Sequence, residues 1–205
     1  MSDVLAIRRL VIDCATPNLS LALFEGDELI ASDHRQIGRG HAEALVPAIA
    51  ALPDGGRAGA IYVGCGPGSF TGIRIGIAAA RALAFAWGVP LSGFDTLALI
   101  AAQARRKTGA ERVAVAVDGG HGEWFVAEAP LGALSLKPED AVAVIDSPLV
   151  AGARAADLVA LRGWGEAIDA EADAREFPFM DQLAIMASAA PLYGRAPDAK
   201  VLAAT

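Results

Sequence analysis

Short apolar runs separated by polar turns open the chain. Residues 10–14, 19–25 and 29–36 have the length of strands, and the turns between them are rich in turn-forming residues. Gly26 and Asp27 stand where a tight hairpin turn is required. The pattern therefore predicts a three-stranded antiparallel meander at the start of the chain.

A helical period follows the meander. Residues 41–52 place Ala42, Leu45, Ile49 and Leu52 on one face, which predicts an amphipathic helix. Strand-like and helix-like runs then alternate. They predict a strand over 60–65, a helix over 71–88, a strand over 89–94 and a helix over 95–107.

The second half of the chain carries a weaker pattern. Residues 113–118 and 123–128 predict another hairpin, and Asp118 closes its first strand as Asp13 closes the first strand of the chain. This similarity suggests a duplicated lobe. Beyond the hairpin the pattern predicts only a helix over 178–190 and then a tail.

The order of these elements indicates the fold class. Three antiparallel strands followed by alternating helices and strands predict an α/β fold in which mixed sheets are flanked by helices. This order is similar to the lobe that ribonuclease H and the actin-like ATPases share. In that lobe the first hairpin carries an aspartate and holds phosphate or metal, which makes Asp13 a candidate residue.

Composition limits the number of domains and the class of partner. A chain of 205 residues with 54% hydrophobic residues forms one large domain or two small lobes. The formal net charge of −7 disfavours tight nucleic-acid binding by this chain alone, because phosphate contacts need a basic surface.

The expected location is the cytoplasm. Cys14 and Cys65 lack C-x-x-C spacing, which is typical of buried thiols in a reducing compartment. The first residues do not have the pattern of a signal peptide. The apolar run over 75–89 contains Arg81 and is shorter than a membrane span, so we expect no membrane association.

A glycine-rich segment is the strongest candidate for a functional site. Residues 64–76 hold five glycines in thirteen positions between a predicted strand and a predicted helix, an arrangement that directs N–H groups toward an anion. The pattern G-x-G-x-x-G fails at Ser69 and Thr71, G-x-x-x-x-G-K-[ST] lacks its lysine, and G-x-S-x-G fails at Pro67.

Two interpretations of this segment remain. It is either a vestigial phosphate loop or a tight turn with a helix cap, in which proline fixes φ, glycine permits positive φ and a hydroxyl caps the helix. The capping interpretation assigns the Asp13 side chain to the turn at Thr16. The residues of the vestigial loop would be Asp13, Gly66, Gly68, Ser69 and Thr71.

Five segments in a fixed order indicate a family. They are 12–16 (Ile-Asp-Cys-Ala-Thr), His41 with 45–47 (Leu-Val-Pro), 66–76 (Gly-Pro-Gly-Ser-Phe-Thr-Gly-Ile-Arg-Ile-Gly), Asp118 with Gly122 and Glu123, and 191–195 (Pro-Leu-Tyr-Gly-Arg). In this order and spacing they resemble the TsaB (YeaZ) family of tRNA threonylcarbamoyladenosine (t6A) biosynthesis proteins, which is related to TsaD. The resemblance covers residues 8–195 and is strongest over 60–76.

The resemblance implies a two-lobed actin-like (ASKHA, ribonuclease H-like) fold with a reduced second lobe. The first lobe would cover 1–108 and the second 109–205, with a C-terminal helix over 180–190 packing back on the first lobe. It also implies a non-catalytic scaffold or activator in t6A synthesis at tRNA position 37. The implied partners are a catalytic, metal-holding TsaD-type subunit and a TsaE-type ATPase, with tRNA reached only through the complex.

The residues point the same way as the resemblance. His34, His41 and His121 form no H-x-x-x-H metal motif, and no Ser–His–Asp or Cys–His set has recognisable spacing. We therefore expect no metal and no cofactor, with weak nucleotide binding at a subunit junction left open. Because Asp13 and Asp118 could flank a nucleotide, a stand-alone actin-like ATPase or phosphotransferase is the alternative function, and a peptidase is the third.

The second predicted helix has a row of small residues at every fourth position. Such a ridge permits close approach of another helix, either from the same chain or from another subunit. The family resemblance favours another subunit, because TsaB-like proteins pair through the two helices of the first lobe. Without that subunit we expect the same face to self-associate, which predicts a homodimer in isolation. The predicted partner-binding residues are Gly72, Arg74, Gly76, Ile77, Ala80, Arg81 and Ala84, with His41 and Leu45 from the first helix.

Overall fold

The computed structural model describes residues 8–128 and 131–193, which form two β-sheets with helices packed on their faces. The first half of the chain supplies strands β1 (Arg8–Asp13), β2 (Asn18–Glu25), β3 (Glu28–Gln36), β4 (Ala60–Gly64) and β5 (Leu91–Phe94), and helices α1 (His41–Ala50), α2 (Phe70–Trp87) and α3 (Thr96–Thr108). The predicted meander, and the helices and strands after it, are confirmed to within two residues at each end.

The second half of the chain contains more elements than its sequence pattern predicts. The predicted hairpin is confirmed as β6 and β7, whereas the elements from β8 to β10 have no predicted counterpart. The elements are β6 (Ala114–Gly120), β7 (Glu123–Glu128), β8 (Leu131–Leu136), α4 (Pro138–Val144), β9 (Leu149–Ala151), α5 (Ala155–Arg162), β10 (Glu166–Ile168) and β11 (Ile185–Met186).

The two sheets repeat one topology. The first sheet has the order β11-β5-β4-β1-β2-β3 and the second has the order β10-β9-β6-β7-β8. In each sheet the first strand pairs antiparallel with the second and parallel with the fourth, as β1 does with β2 and β4, and β6 with β7 and β9. The topology therefore supports the duplication that the two aspartates suggest, and the predicted boundary at residue 108 falls between α3 and β6.

The central strands of each sheet are buried on both faces, which gives the molecule five layers. On β1, Leu10 and Ile12 pack in a core with α1 and α2, while Val11 packs on the opposite face with α3 and the second sheet. The outer face of the second sheet packs against α4 and α5. We call the first sheet with α1, α2 and α3 the first lobe, and the second sheet with α4 and α5 the second lobe.

Local capping fixes the ends of the two long helices of the first lobe. Ser69 caps α2 by accepting a hydrogen bond from the Gly72 N–H, and Asp95 caps α3 in the same way from Leu97. Both helices end at glycines in the left-handed region, Gly88 with φ 67° and Gly109 with φ 72°.

The predicted helix over 178–190 is wrong. The segment instead holds 3₁₀ turns at Ala174–Phe179 and Gln182–Ala184, followed by β11, which pairs antiparallel with β5 at the edge of the first sheet. Pro178 has no N–H to donate within a helix, and Asp181 caps only the short turn that follows it. The predicted tail begins at the end of the described residues, and Gly194 and Arg195 lie outside them.

Helix α2 is long and apolar enough, by length and composition alone, to cross a membrane. One such helix is weak support for a membrane span, because core helices have the same composition. Here Ile73, Ile77 and Ala80 of α2 are buried against the first sheet.

Candidate functional site

The backbone of the glycine-rich segment is bound to the chain itself. The Ser69 N–H donates to the carbonyl oxygen of Ala15 at 2.7 Å, and the Gly66 N–H donates to Thr96 Oγ1 at 3.3 Å. The Gly72 N–H donates to the Ser69 hydroxyl oxygen at 3.2 Å. These amides close a turn and cap α2, which is the arrangement of the helix-cap interpretation.

Asp13 is fully buried at the end of β1. Its carboxylate accepts the Ala15 N–H at 3.0 Å and the Thr96 hydroxyl at 2.7 Å. Burial raises the pKa of Asp13 to about 6, although both hydrogen bonds oppose that shift. The side chain therefore caps the turn through Ala15 rather than Thr16, and it ties β1 to the start of α3.

Asp118 occupies the corresponding position in the second lobe, but its carboxylate has different hydrogen-bond partners. Arg154, just before α5, donates to one carboxylate oxygen at 2.5 Å, and the Gly120 N–H donates to the other at 2.7 Å. The hydrogen bond from Arg154, followed by that from Gly120, holds the pKa of Asp118 below its ordinary value. This carboxylate is therefore ionised and paired at neutral pH.

A cavity of about 1010 Å³ lies between the two lobes. Its wall includes the side chains of Ile100, Val117 and Phe125, together with the polar side chains of Ser69 and Glu171. This volume is at the upper end of the range of small-molecule pockets. Gly68 and Ser69 of the predicted vestigial loop line the cavity, whereas Asp13, Gly66 and Thr71 do not.

Arg74 lies at one side of this cavity in an aromatic stack. Its guanidinium is 3.6 Å from the centre of the Phe70 ring, and its Nε donates to the Tyr193 hydroxyl at 3.2 Å. The Phe70 and Tyr193 rings are themselves 5.2 Å apart. Arg74 therefore attaches the start of α2 to the segment after β11, and Arg81 does the same through the carbonyl oxygen of Ala189 at 2.8 Å.

The small-residue ridge of α2 is buried against the chain's own sheet, whereas we expected it to meet another subunit. Gly72 lies directly against the Cys14 carbonyl oxygen, and Gly76 lies over the side chains of Cys14 and Val63. The ridge lets α2 approach the chain's own sheet, because only small residues fit at such short distances. The predicted partner-binding residues of α2 that are buried in this way are Gly72, Gly76, Ile77, Ala80 and Ala84.

The predicted partner contacts of α1 are corrected for the same reason. Leu45 is 1% exposed and belongs to the core between α1 and the first sheet. His41 is buried at the first position of α1, where its Nε2 lies 3.2 Å from the carbonyl oxygen of Asn18. Among the nine predicted partner-binding residues, only Arg74 and Arg81 are exposed.

The opposite side of the same two helices is exposed and apolar. Phe85 of α2 is 91% exposed and Val46 of α1 is 57% exposed. We define the outer helix face as six exposed apolar residues of these helices, Ala42, Val46 and Pro47 of α1 and Ala78, Ala82 and Phe85 of α2. Because α1 packs against α2, these residues belong to neighbouring helices.

The described residues offer little support for a metal site or a cysteine nucleophile. Over residues 8–128 and 131–193, no group of three or more His, Cys, Asp or Glu side chains is placed to hold a metal ion. Cys14 and Cys65 are both buried, and burial raises the pKa of Cys65 to about 11. Neither thiol is in the state that a nucleophile requires at neutral pH.

Sequence reasoning missed two features of these sites. The exposed Phe85 was detectable as a bulky residue outside the small-residue ridge. The contact of Glu171 with His34 and Asn18 was not detectable, because the residues are 137 and 153 positions apart in the sequence.

Comparison with known proteins decides the family. A family model described as TsaD: tRNA N6-adenosine threonylcarbamoyltransferase matches residues 31–187. The chain belongs to this family. The resemblance to its TsaB (YeaZ) members is also confirmed by curated relatives and by solved structures.

Curated relatives include proteins named tRNA threonylcarbamoyladenosine biosynthesis protein TsaB. The protein of Escherichia coli strain K12 is 39% identical over 127 residues, which are 60% of this chain and 54% of that protein. The protein of Bacillus subtilis strain 168 is 34% identical over 105 residues, which are 49% and 46% of the two chains. The chain thus spans about half the length of the curated TsaB relatives that it matches.

Solved structures extend the similarity to the whole fold. The YeaZ structure from Pseudomonas aeruginosa has a TM-score of 0.72 at 29% identity, covering 91% of this chain and 99% of that chain. A second structure from this organism, described as an uncharacterized protein with similarity to peptidase YEAZ, has a TM-score of 0.74 at 29% identity, covering 92% and 99%. Together with the family model, they confirm the actin-like, ribonuclease H-like fold.

Proposed function

We propose that this chain is a non-catalytic scaffold or activator in the synthesis of N6-threonylcarbamoyladenosine at tRNA position 37. Family membership and the names of the TsaB relatives support the pathway. The observation that carries the non-catalytic part is the glycine-rich segment, whose amides at Gly66, Ser69 and Gly72 bind oxygens of the chain itself. These amides are therefore not available to a phosphate group.

The two hairpin aspartates support the same proposal. Asp13 is buried on Thr96, and Asp118 is paired with Arg154. A metal-bound phosphate would have to displace Thr96 before Asp13 could bind it, and Arg154 before Asp118 could bind it. Catalysis in the proposed complex accordingly belongs to another subunit.

The proposed partner is a TsaD-type catalytic subunit, which docks on the outer helix face. Phe85 supports this choice, because a phenylalanine left 91% exposed by folding has most of its apolar area in water. Covering such a side chain contributes about 1.5–3 kcal/mol to association. Arg74 and Arg81 lie on the same helix and supply polar groups beside this apolar area.

We further propose that the outer helix face forms a homodimer when the catalytic subunit is absent. One apolar surface that serves both contacts makes the two assemblies compete. A TsaE-type ATPase then joins the heterodimer rather than the isolated chain. Transfer RNA is reached through the complex, which agrees with the net charge of −7 on this chain.

Reconstitution tests this function directly. Purified chain, TsaD-type subunit, TsaE-type ATPase, tRNA and a threonylcarbamoyl donor are combined, and modified adenosine is measured by mass spectrometry of the digested tRNA. We expect product only when the chain and both partners are present. Product formed by the chain alone, or product that is unchanged when the chain is omitted, would contradict the proposal.

The alternative function is a stand-alone ATPase or phosphotransferase. The cavity of about 1010 Å³ between the lobes favours it, because that volume accommodates a nucleotide. This alternative predicts ATP hydrolysis by the purified chain that is lost in Asp13→Ala and Asp118→Ala. The scaffold proposal predicts no hydrolysis above a boiled-protein control.

A further inference from the structure

The chain crosses between the two lobes twice, first at residues 109–113 and again at residues 169–173. This crossing segment leads from β10 of the second sheet to the 3₁₀ turn Ala174–Phe179, which packs on the first sheet. There Phe177 contacts Tyr62 and Phe94, with ring centres 4.6 Å and 5.7 Å away. The end of the crossing segment is therefore anchored in the core of the first lobe.

Glu171, in the middle of the crossing segment, is bound to two strands of the first sheet. Its carboxylate lies 2.8 Å from His34 Nε2 on β3, and its other oxygen accepts a hydrogen bond from Asn18 Nδ2 at the start of β2. Its backbone N–H donates to the Gln103 side-chain oxygen at 3.0 Å. One residue thus joins the crossing segment to β2, β3 and α3.

Ser20 completes this set of contacts. Its hydroxyl oxygen accepts the Ala174 N–H at 2.8 Å and lies 2.8 Å from His34 Nδ1. A hydroxyl can both donate and accept, so this contact is satisfied in either tautomer of the imidazole. Ser20 therefore joins the end of the crossing segment to His34 on β3.

The Glu171 contacts differ from ordinary core contacts because the cavity reaches them. The Glu171 side chain is 55% exposed and belongs to the cavity wall, whereas Asp173, two residues later, is 1% exposed. A group that enters the cavity and binds the carboxylate would compete with His34 and Asn18 for it. The connection between the lobes is therefore accessible from the space that it helps to enclose.

We propose that Glu171, His34 and Asn18 form a latch that fixes the separation of the two lobes. With the latch closed, the crossing segment is held on the first sheet and the cavity keeps its width. Release of Glu171 removes the contacts of this segment with β2 and β3, and leaves Lys107 on the Asp169 carbonyl oxygen and the buried Ala170 and Ala172 to hold it. Residues 169–173 then act as a hinge together with the first crossing at residues 109–113. The second lobe then moves relative to the first.

The test compares Glu171→Ala with Glu166→Ala, which removes an exposed carboxylate from the same lobe. Hydrogen exchange of the full chain is followed at residues 171–176, and the distance between spin labels at Arg57→Cys and Leu161→Cys is measured. Cys14 and Cys65 are buried and do not take the label. We expect Glu171→Ala to exchange about three- to tenfold faster in this segment and to broaden the interlobe distance distribution.

A second variant separates the latch from general loss of stability. Glu171→Gln keeps an acceptor for His34 but turns an amide donor toward the Asn18 donor, so its effects should lie between those of wild type and Glu171→Ala. The proposal is overturned if Glu171→Ala matches Glu166→Ala in both measurements. It is also overturned if exchange rises while the interlobe distances stay unchanged, because the contacts would then order only the segment itself.

Discussion

Gly72 of α2 lies directly against the backbone of Cys14, the residue that follows β1. A Cβ placed on Gly72 would come within 1.9 Å of the Cys14 carbonyl oxygen. No side chain fits at that distance, and both neighbouring groups are backbone atoms that cannot rotate away. The glycine is therefore required for the packing of α2 on β1.

Gly72→Ala should lower the free energy of unfolding by about 3 kcal/mol, because α2 must move off the sheet to admit one methyl group. The matched control is Gly76→Ala on the same helix, where the nearest heavy atom would be 3.5 Å away. That control should be neutral or stabilising by about 1 kcal/mol, since alanine favours helix over glycine. Urea unfolding followed by circular dichroism measures the stability of both variants. Equal midpoints for Gly72→Ala and Gly76→Ala would refute this account of the ridge.

Asp13 and Asp95 should make the protein less stable as pH rises from about 4 to about 6. Burial raises both pKa values from 3.8 to about 6, so the folded state keeps protons that the unfolded state has already lost. For Asp13 the difference corresponds to about 3 kcal/mol, which is present below pH 4 and absent above pH 6. Asp118 and Asp173 have lowered pKa values and titrate below this window.

The measurement is urea unfolding at pH 4.5, 5.5 and 7 for wild type and Asp13→Asn. The variant carries no titrating group at residue 13, so its stability should fall over this range by about half as much as that of wild type. Asp27→Asn, at an exposed turn, is the control and should retain the wild-type dependence. An identical pH dependence in Asp13→Asn would show that this carboxyl is not the buried, proton-binding group described above.

Both cysteines should be unreactive in the folded protein. Cys14 is 1% exposed and Cys65 is 0% exposed, and burial raises the pKa of each thiol, that of Cys65 to about 11. At pH 8 almost no thiolate is therefore present. Ellman's reagent should titrate no thiol in native buffer and two in urea, and rapid reaction of either thiol in native buffer would contradict the packing around β1 and β4.

Local patterns were sufficient to predict most of the first lobe from the sequence. Strands β1 to β3 are short runs bounded by turn residues, with a hairpin turn at Gly26 and Asp27, and α2 and α3 begin at capping residues and end at glycines. The region 178–190 resembled a helix in composition, yet the unpaired edge of β5 and the short turn capped by Asp181 gave a strand instead. Pairing with a distant strand leaves no local signal.

The candidate sites were less predictable because they depend on which face of an element is buried. Helix α2 is apolar on nearly all sides, so its period does not identify the side that meets the sheet. The small-residue ridge suited a partner helix as well as the chain's own sheet. The contact of Gly72 with Cys14 distinguishes these two packing partners. Likewise, the partner of Asp13 is Thr96, which is 83 residues away.

Ala80→Glu illustrates the consequence of this correction. Ala80 is fully buried, so the charge would enter the core and the variant should lose about 3 kcal/mol or more of folding free energy. A change in partner binding by this variant would therefore report unfolding. Thermal unfolding of Ala80→Glu and wild type is the check, and an unchanged melting temperature would place residue 80 on the surface after all.

The outer helix face is the central claim, and Phe85→Glu tests it most directly. The matched control is Phe179→Glu, which changes another exposed phenylalanine, 57% exposed, at the 3₁₀ turn away from α1 and α2. Binding of each folded variant to a TsaD-type catalytic subunit is measured by titration calorimetry. We predict that Phe85→Glu weakens binding at least about tenfold, as expected for loss of a buried aromatic contact, while Phe179→Glu binds as wild type does. Wild-type affinity in Phe85→Glu would contradict docking through this face.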